Sequence, residues 1–461
     1  MNIDEKINEF RLGKLDIDCK HMTLIQAKEG GEFYEGQRYI RQTEDGILTF
    51  KIYVTKKENA VPFAHLNAQF RSGPGKFYPD DAFYDLTATS FKGTTWTAHR
   101  ILLNPDWDMS DDSVIIRGQL NSVIGRFKRY QKNHYVGLHF FEEYEVPLNK
   151  MSKTERDGNE IMVLDRIEFE ACDSKFEVMK RGGSGYTFVE ATSENPFPQG
   201  FHQRIQEAIQ FLTGESALWR ARIATEGDAV VLELASQRNK SPRSKLYAPL
   251  LPTSAEFRNS GWTLFSKFLA YTTKETTGSH WNPVAYHLFG ARESSGNSIE
   301  AWAVGASVAL EALASLIQLD KDKEQAEKIK QFQKHMRDYV SNSADYQDLA
   351  ERFTGLVNMM GSKSAKDSLY WLAEEGRVEK DYIKSWSDLR NKHVHPSIRD
   401  LKKPEMTDYQ DWVDDIRRVG VLLNQISFHL IGYSGPYTDY GAENFPVAQY
   451  PLNKVAVTQA T

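Results

Sequence analysis

Arg390, Asn391 and His395 have the residue types and spacing to act on a phosphodiester. They lie in the stretch Ser385-Trp-Ser-Asp-Leu-Arg-Asn-Lys-His-Val-His-Pro396. Tyr382, Ile383, Trp386 and Leu389 recur at helical spacing, so the stretch continues an amphipathic helix. Pro396 disfavours helical geometry at His395, which should sit at or just past the helix C-terminus, roughly a turn and a half beyond Arg390. A fixed cation and a titratable imidazole can then face one small volume. Arginine holds phosphate oxygens and histidine moves a proton. Asn391 can donate a hydrogen bond to phosphate or position His395. The plainer reading of the same residues is a surface helix end with ordinary caps.

RNA carries its own nucleophile, the 2′-hydroxyl. Cleavage needs a base for that proton, an acid for the 5′-oxygen, and cations for the charge on the phosphorane. An imidazole with a reference pKa of about 6.5 can serve near neutrality. A helix C-terminus favours imidazolium and a neighbouring arginine opposes it. One histidine per chain is few for both base and acid. Glu311 sits within a long apolar stripe at helical spacing. It is either an edge residue whose carboxylate reaches solvent, or a residue that orients Arg390 or His395 by a charged hydrogen bond.

The pattern Arg-Asn-x-x-x-His near the end of an all-helical region resembles the HEPN superfamily of nucleotide-binding and RNA-cleaving domains. It is most similar to the Apea-like HEPN domains of bacterial anti-phage proteins. The matching positions are Arg390, Asn391 and His395; His393 lies between them and is not the family position. The helix carrying Leu310-Glu311-Ala312-Leu313 resembles the family's early bundle helix with its glutamate. Ala208-Ile-Gln-Phe-Leu-Thr-Gly214 loosely resembles a segment that joins sensor and nuclease parts. The resemblance covers roughly the last 180 to 200 residues. It implies a metal-independent endoribonuclease acting in anti-phage defence of the abortive-infection type. Its two domains would pair in a homodimer, bringing two Arg/His sets into one cleft. The N-terminal part would sense a phage-derived or cellular trigger. The RNA partner would be a tRNA or mRNA. The rivals are a non-catalytic RNA-, nucleotide- or protein-binding HEPN module with a regulatory β domain, and an antitoxin-regulated toxin with the same chemistry.

With 12 His and 57 Lys plus Arg in the chain, roughly one Arg-x4-His match is expected by chance. One occurs at Arg129-Tyr-Gln-Lys-Asn-His134, between strand-like segments, without the helical context.

A net charge of −6 argues against a broad duplex-binding surface and leaves room for a local RNA site. Cys19 and Cys172 are far apart, so neither a disulfide framework nor a zinc site is expected, which fits a reducing cytoplasm. No cofactor and no metal is expected, because no ligand cluster with the right spacing occurs. The N-terminus lacks a signal pattern, and no run approaches the ~18 apolar residues of a membrane helix.

The expected fold class is α+β. Residues 1–235 form a β-rich sensor or regulatory domain, a sandwich or rolled sheet ending in a helix and strands. Alternating segments predict strands at 47–55, 113–120, 135–141, 161–169 and 186–190, then 218–223 and 230–234. Gly182-Gly-Ser-Gly185 reads as a hairpin turn, since a phosphate cradle would need a Gly-Lys-Ser/Thr ending. Arg126 to Tyr135 mixes cations and aromatics. That mixture suits single-stranded nucleic acid, or equally the solvated face of a strand. Residues 236–253 are polar, basic and proline-containing, and read as a linker. Residues 254–435 form the HEPN-like helical bundle, with stripes at 299–317, 329–340, 349–360 and 412–430. Residues 436–461 form an extended tail.

Overall fold

The computed structural model describes residues 2–61, 75–108, 110, 112–128, 132–156, 159–181, 186–237, 246–276, 280–317, 323–342, 352, 355–357, 364–393 and 406–452. The fold is α+β, with strands first and helices after. The chain's internal contacts divide it into two units. The first is Met1–Gln206, Ala217–Pro242 and Thr277–Ser279; the second is Glu207–Ser216, Arg243–Thr276 and His280–Thr461.

Helix α1 (Ile3–Arg11) opens the first unit. The strands β1 (Asp16–Gln26), β2 (Phe33–Gln42), β3 (Leu48–Glu58), β4 (Tyr84–Ser90), β5 (Thr95–Ile101), β6 (Asn104–Asp108), β7 (Ser113–Leu120) and β8 (Ser122–Lys128) follow. Next come β9 (His134–Phe140), β10 (Lys150–Arg156), β11 (Asn159–Ala171), β12 (Ser174–Arg181) and β13 (Tyr186–Ser193). After α2 (Phe201–Thr213), the hairpin β14 (Ala221–Glu226) and β15 (Ala229–Ala235) completes the unit. These strands form one antiparallel sheet in the order β10-β11-β12-β13-β9-β14-β15-β8-β5-β4-β1-β2-β3-β7-β6.

That order forces the sheet to roll. Only Asn121 separates β7 from β8, yet five strands lie between them in the sheet. In a flat sheet they would be roughly 29 Å apart at the usual strand spacing. Two residue steps span roughly 7 Å at most. Accordingly β5 and β7, with four strands between them in the sheet, come into contact. The roll follows from alternation. Leu48, Phe50 and Ile52 on β3 and Val114, Ile116 and Leu120 on β7 point into one core with Ile7 and Phe10 of α1. Trp96 on β5 is fully buried there, and the opposed residue on β8 is Gly125. A Cβ at Gly125 would meet the indole at 2.6 Å, so glycine is what admits the ring.

Arg126 is exposed on β8 with Glu226 at 3.7 Å, and Phe127 packs edge-on to Trp96. This part of the cation–aromatic stretch is a strand face. Arg129 and Gly182-Gly-Ser-Gly185 lie outside the described residues. The strands β12 and β13 on either side of the glycines pair antiparallel from Lys175/Thr192 to Arg181/Tyr186.

The second unit holds α3 (Ala255–Glu275), α4 (Pro283–Ser295), α5 (Ile299–Ser315), α6 (Lys323–Asn342), α7 (Ala365–Glu374), α8 (Lys380–His393) and α9 (Met406–Ile431). Side-chain caps set four of the starts: Ser254, Asn282, Ser298 and Ser364 each accept from a backbone N–H in the first turn. Ser364 and Asp367 form a full capping box. Gly214 follows α2 at φ +68°, and a Cβ there would strike the Leu246 carbonyl oxygen at 2.2 Å. Leu246, Ala248 and Leu250, from the stretch read as a linker, are buried. The tail read as extended forms a hairpin, β16 (Gly435–Thr438) with β17 (Val447–Tyr450), and buries Tyr437, Tyr440 and Tyr450. The stripe at 329–340 lies on α6 as its period predicts, but Phe332 and Tyr339 are 47% and 59% exposed. Of the stripe at 349–360, Leu349, Phe353 and Met360 lie outside the described residues. No described helix is long and apolar enough to cross a membrane.

Candidate functional site

Helix α8 buries Ile383, Trp386 and Leu389, the residues whose spacing predicted it. It packs on α5, α7 and α9. The Trp386 indole N–H donates to the Ser307 carbonyl of α5 at 3.3 Å. This anchor fixes how far α8 can slide along α5. Trp386 is 4% exposed, so Trp386→Ala removes both the buried ring and the bond. We expect a loss of about 3–5 kcal/mol, read by denaturant unfolding of the full chain. A change below about 1 kcal/mol would mean that α8 is held chiefly by its other contacts.

One turn further along each helix, Arg390 meets Glu311. The Arg390 Nε–H donates to Oε2 at 3.2 Å and Nη2–H to Oε1 at 3.3 Å. This two-pronged geometry orients the guanidinium as a rigid plane. The arginine side chain is 30% exposed and the glutamate 45%. A half-exposed pair of this kind adds only about 0–1 kcal/mol to stability. Its structural consequence is placement. The two bonds use one edge of the fork, and three further N–H groups of the guanidinium are of the kind a phosphate accepts from. The Glu311 carboxylate both bonds Arg390 and reaches solvent. Asn391 is exposed on the next position of α8. His395 lies outside the described residues, two positions beyond the end of α8.

His393 is turned to another task. Its ring stands edge-on to Trp412 of α9, with centroids 4.7 Å apart, and the Lys392 ammonium lies 4.6 Å from the same indole. The Nε2 of His393 is buried, with no hydrogen-bond partner among the described residues. Burial, and then the Lys392 charge, push the imidazole below its ordinary pKa, while Glu300 opposes them. The Trp412 packing and the Glu300 influence were absent from the sequence reading. Trp412 was legible as core, but nothing in local spacing says which residue of α8 lies against it.

The structure thus brings Arg390 and Glu311 together, leaves Asn391 beside them at the surface, and packs the half-buried His393 ring against Trp412. Comparison of the chain with family models, with curated proteins and with solved structures found no match.

Proposed function

We propose that the chain is a metal-independent endoribonuclease of HEPN type, acting in the cytoplasm in anti-phage defence. The observation that carries this reading is the Glu311–Arg390 pair. A carboxylate on one helix presents a half-exposed guanidinium on another, on the helix whose chain runs on to His395. Arg390 holds the scissile phosphate and stabilises the charge of the phosphorane. His395 takes or returns a proton, and Asn391 hydrogen-bonds the phosphate. A homodimer supplies a second Arg/His set, so that one imidazole is base and the other acid. The β unit senses the trigger.

A binding-only bundle is the second reading. It is favoured by the engagement of Arg390 with a carboxylate, which offsets part of the charge a phosphate would meet. Purified protein with defined tRNA and mRNA in EDTA separates the two. The nuclease reading expects cleavage that persists in EDTA and leaves a 2′,3′-cyclic phosphate and a 5′-hydroxyl. Products with a 5′-phosphate, or activity lost to chelation, count against it. RNA bound intact supports the binding module.

A further inference from the structure

Where the roll of the first unit closes, a groove of about 720 Å³ opens between β3 and β7 on one side and the end of β5 on the other. This is the size of a small-molecule site. Lys51 on β3 stands in register with Arg117 on β7, so the two cations share one wall. A hydrogen bond from Lys51, and then the charges of Lys51, Arg38 and Arg117, draw the exposed Tyr53 hydroxyl below its ordinary pKa. The opposite wall carries Arg100, whose guanidinium lies 4.3 Å from the centre of the Phe83 ring.

Arg100 is placed with some care. It lies within a register shift between β4 and β5 and takes φ +55°, a left-handed conformation costly for a residue with a side chain. Asp80 holds its Nη1 at 2.8 Å. The result is a guanidinium plane backed by an aromatic ring. Asp106 bonds Arg117 at 3.3 Å, so one edge of each arginine is occupied and the rest of each fork is not used by that bond. The amides of Asn104 and Gln119 line the same groove.

We propose that this groove binds a nucleoside polyphosphate. Lys51 and Arg117 take the phosphates, the base stacks on the Arg100 plane, and Asn104 and Gln119 meet the polar edge of the base. A mononucleotide fits better than a strand of nucleic acid. The cations line one open groove of small-molecule size, and the chain as a whole carries a charge of −6, unfavourable to a long polyanion. The site does not depend on the reading of Arg390 and His395, and binding to it is measured without cleavage.

The test is calorimetry on the full chain with ATP and GTP, with adenosine and tripolyphosphate as separate arms. The expected result is saturable binding of a nucleotide, with each part-ligand roughly tenfold or more weaker. The double substitution Lys51→Ala/Arg117→Ala should weaken nucleotide binding by roughly tenfold or more without moving the unfolding midpoint. Arg100→Lys keeps the charge and loses the plane. It should weaken the nucleotide too, and it serves if the double variant fails to fold. No nucleotide binding at millimolar concentration overturns the proposal. So does tripolyphosphate binding as tightly as ATP, or a folded double variant that binds normally.

Discussion

Arg390→Ala should lower RNA cleavage by roughly 10²- to 10³-fold, the scale of one lost donor to a developing oxyanion. The same substitution should cost about 1 kcal/mol of stability or less, because the pair it breaks is half exposed. That contrast is what distinguishes a site residue from a tie between helices. Glu311→Gln keeps the shape and one acceptor but removes the charge. It should loosen the guanidinium and cost activity less than Arg390→Ala does. Arg390→Lys restores a cation without the fork that Nε and Nη2 present to Glu311. It should fall between wild type and alanine. Single-turnover cleavage in EDTA and thermal unfolding of the same samples give the two readouts. Wild-type cleavage by Arg390→Ala, or a loss that merely follows a fall in melting temperature, would reduce the pair to a structural contact.

Much of the secondary structure was legible because a side-chain period reports which face is buried. Val114, Ile116 and Leu120 alternate with Arg117 and Gln119, and the strand at 113–120 has those limits. The same alternation is silent about partners. Nothing in β14 or β15 says that this hairpin inserts between β9 and β8, nearly a hundred residues upstream. The roll became legible only when the one-residue link at Asn121 was set against the strand order. Phe332 and Tyr339 show the opposite failure, since a correct helical period put apolar residues at positions that the described structure leaves exposed.

The site divides in the same way. The spacing of Trp386, Leu389 and Arg390 on one helix is a local property and could be read directly. The glutamate lies 79 residues away, and its role depends on how α5 packs against α8. Its place within an apolar stripe left two orientations open. The packing brings the carboxylate to Arg390 at the edge of the stripe, with the Trp386–Ser307 bond one turn earlier on both helices. His393 has a setting that spacing could not supply. Only three residues from Arg390, it packs edge-on against Trp412.

His395→Ala should lower cleavage by at least about 10²-fold, the usual contribution of a positioned acid or base. His393→Ala should be milder, because its spacing from Arg390 does not match the family position and its Nε2 is buried. It should act mainly by leaving a gap beside Trp412 and so should lower the unfolding midpoint. The two histidines therefore differ in kind of effect, activity in one case and stability in the other. Subunit mixing extends the test to the composite site. One imidazole cannot be base and acid in the same in-line displacement, whereas a two-fold pair can divide the roles. Exchange of His395→Ala chains into wild-type protein should depress activity below what the wild-type chains present would give. Arg390→Ala chains carrying His395, mixed with His395→Ala chains carrying Arg390, should remain far below wild type if each role needs both groups of its own chain. Equal activity loss at His393, with wild-type cleavage by His395→Ala, would move the chemistry off His395. Activity strictly proportional to wild-type chains after verified exchange, or a fully active monomer in sedimentation, would reject the shared cleft.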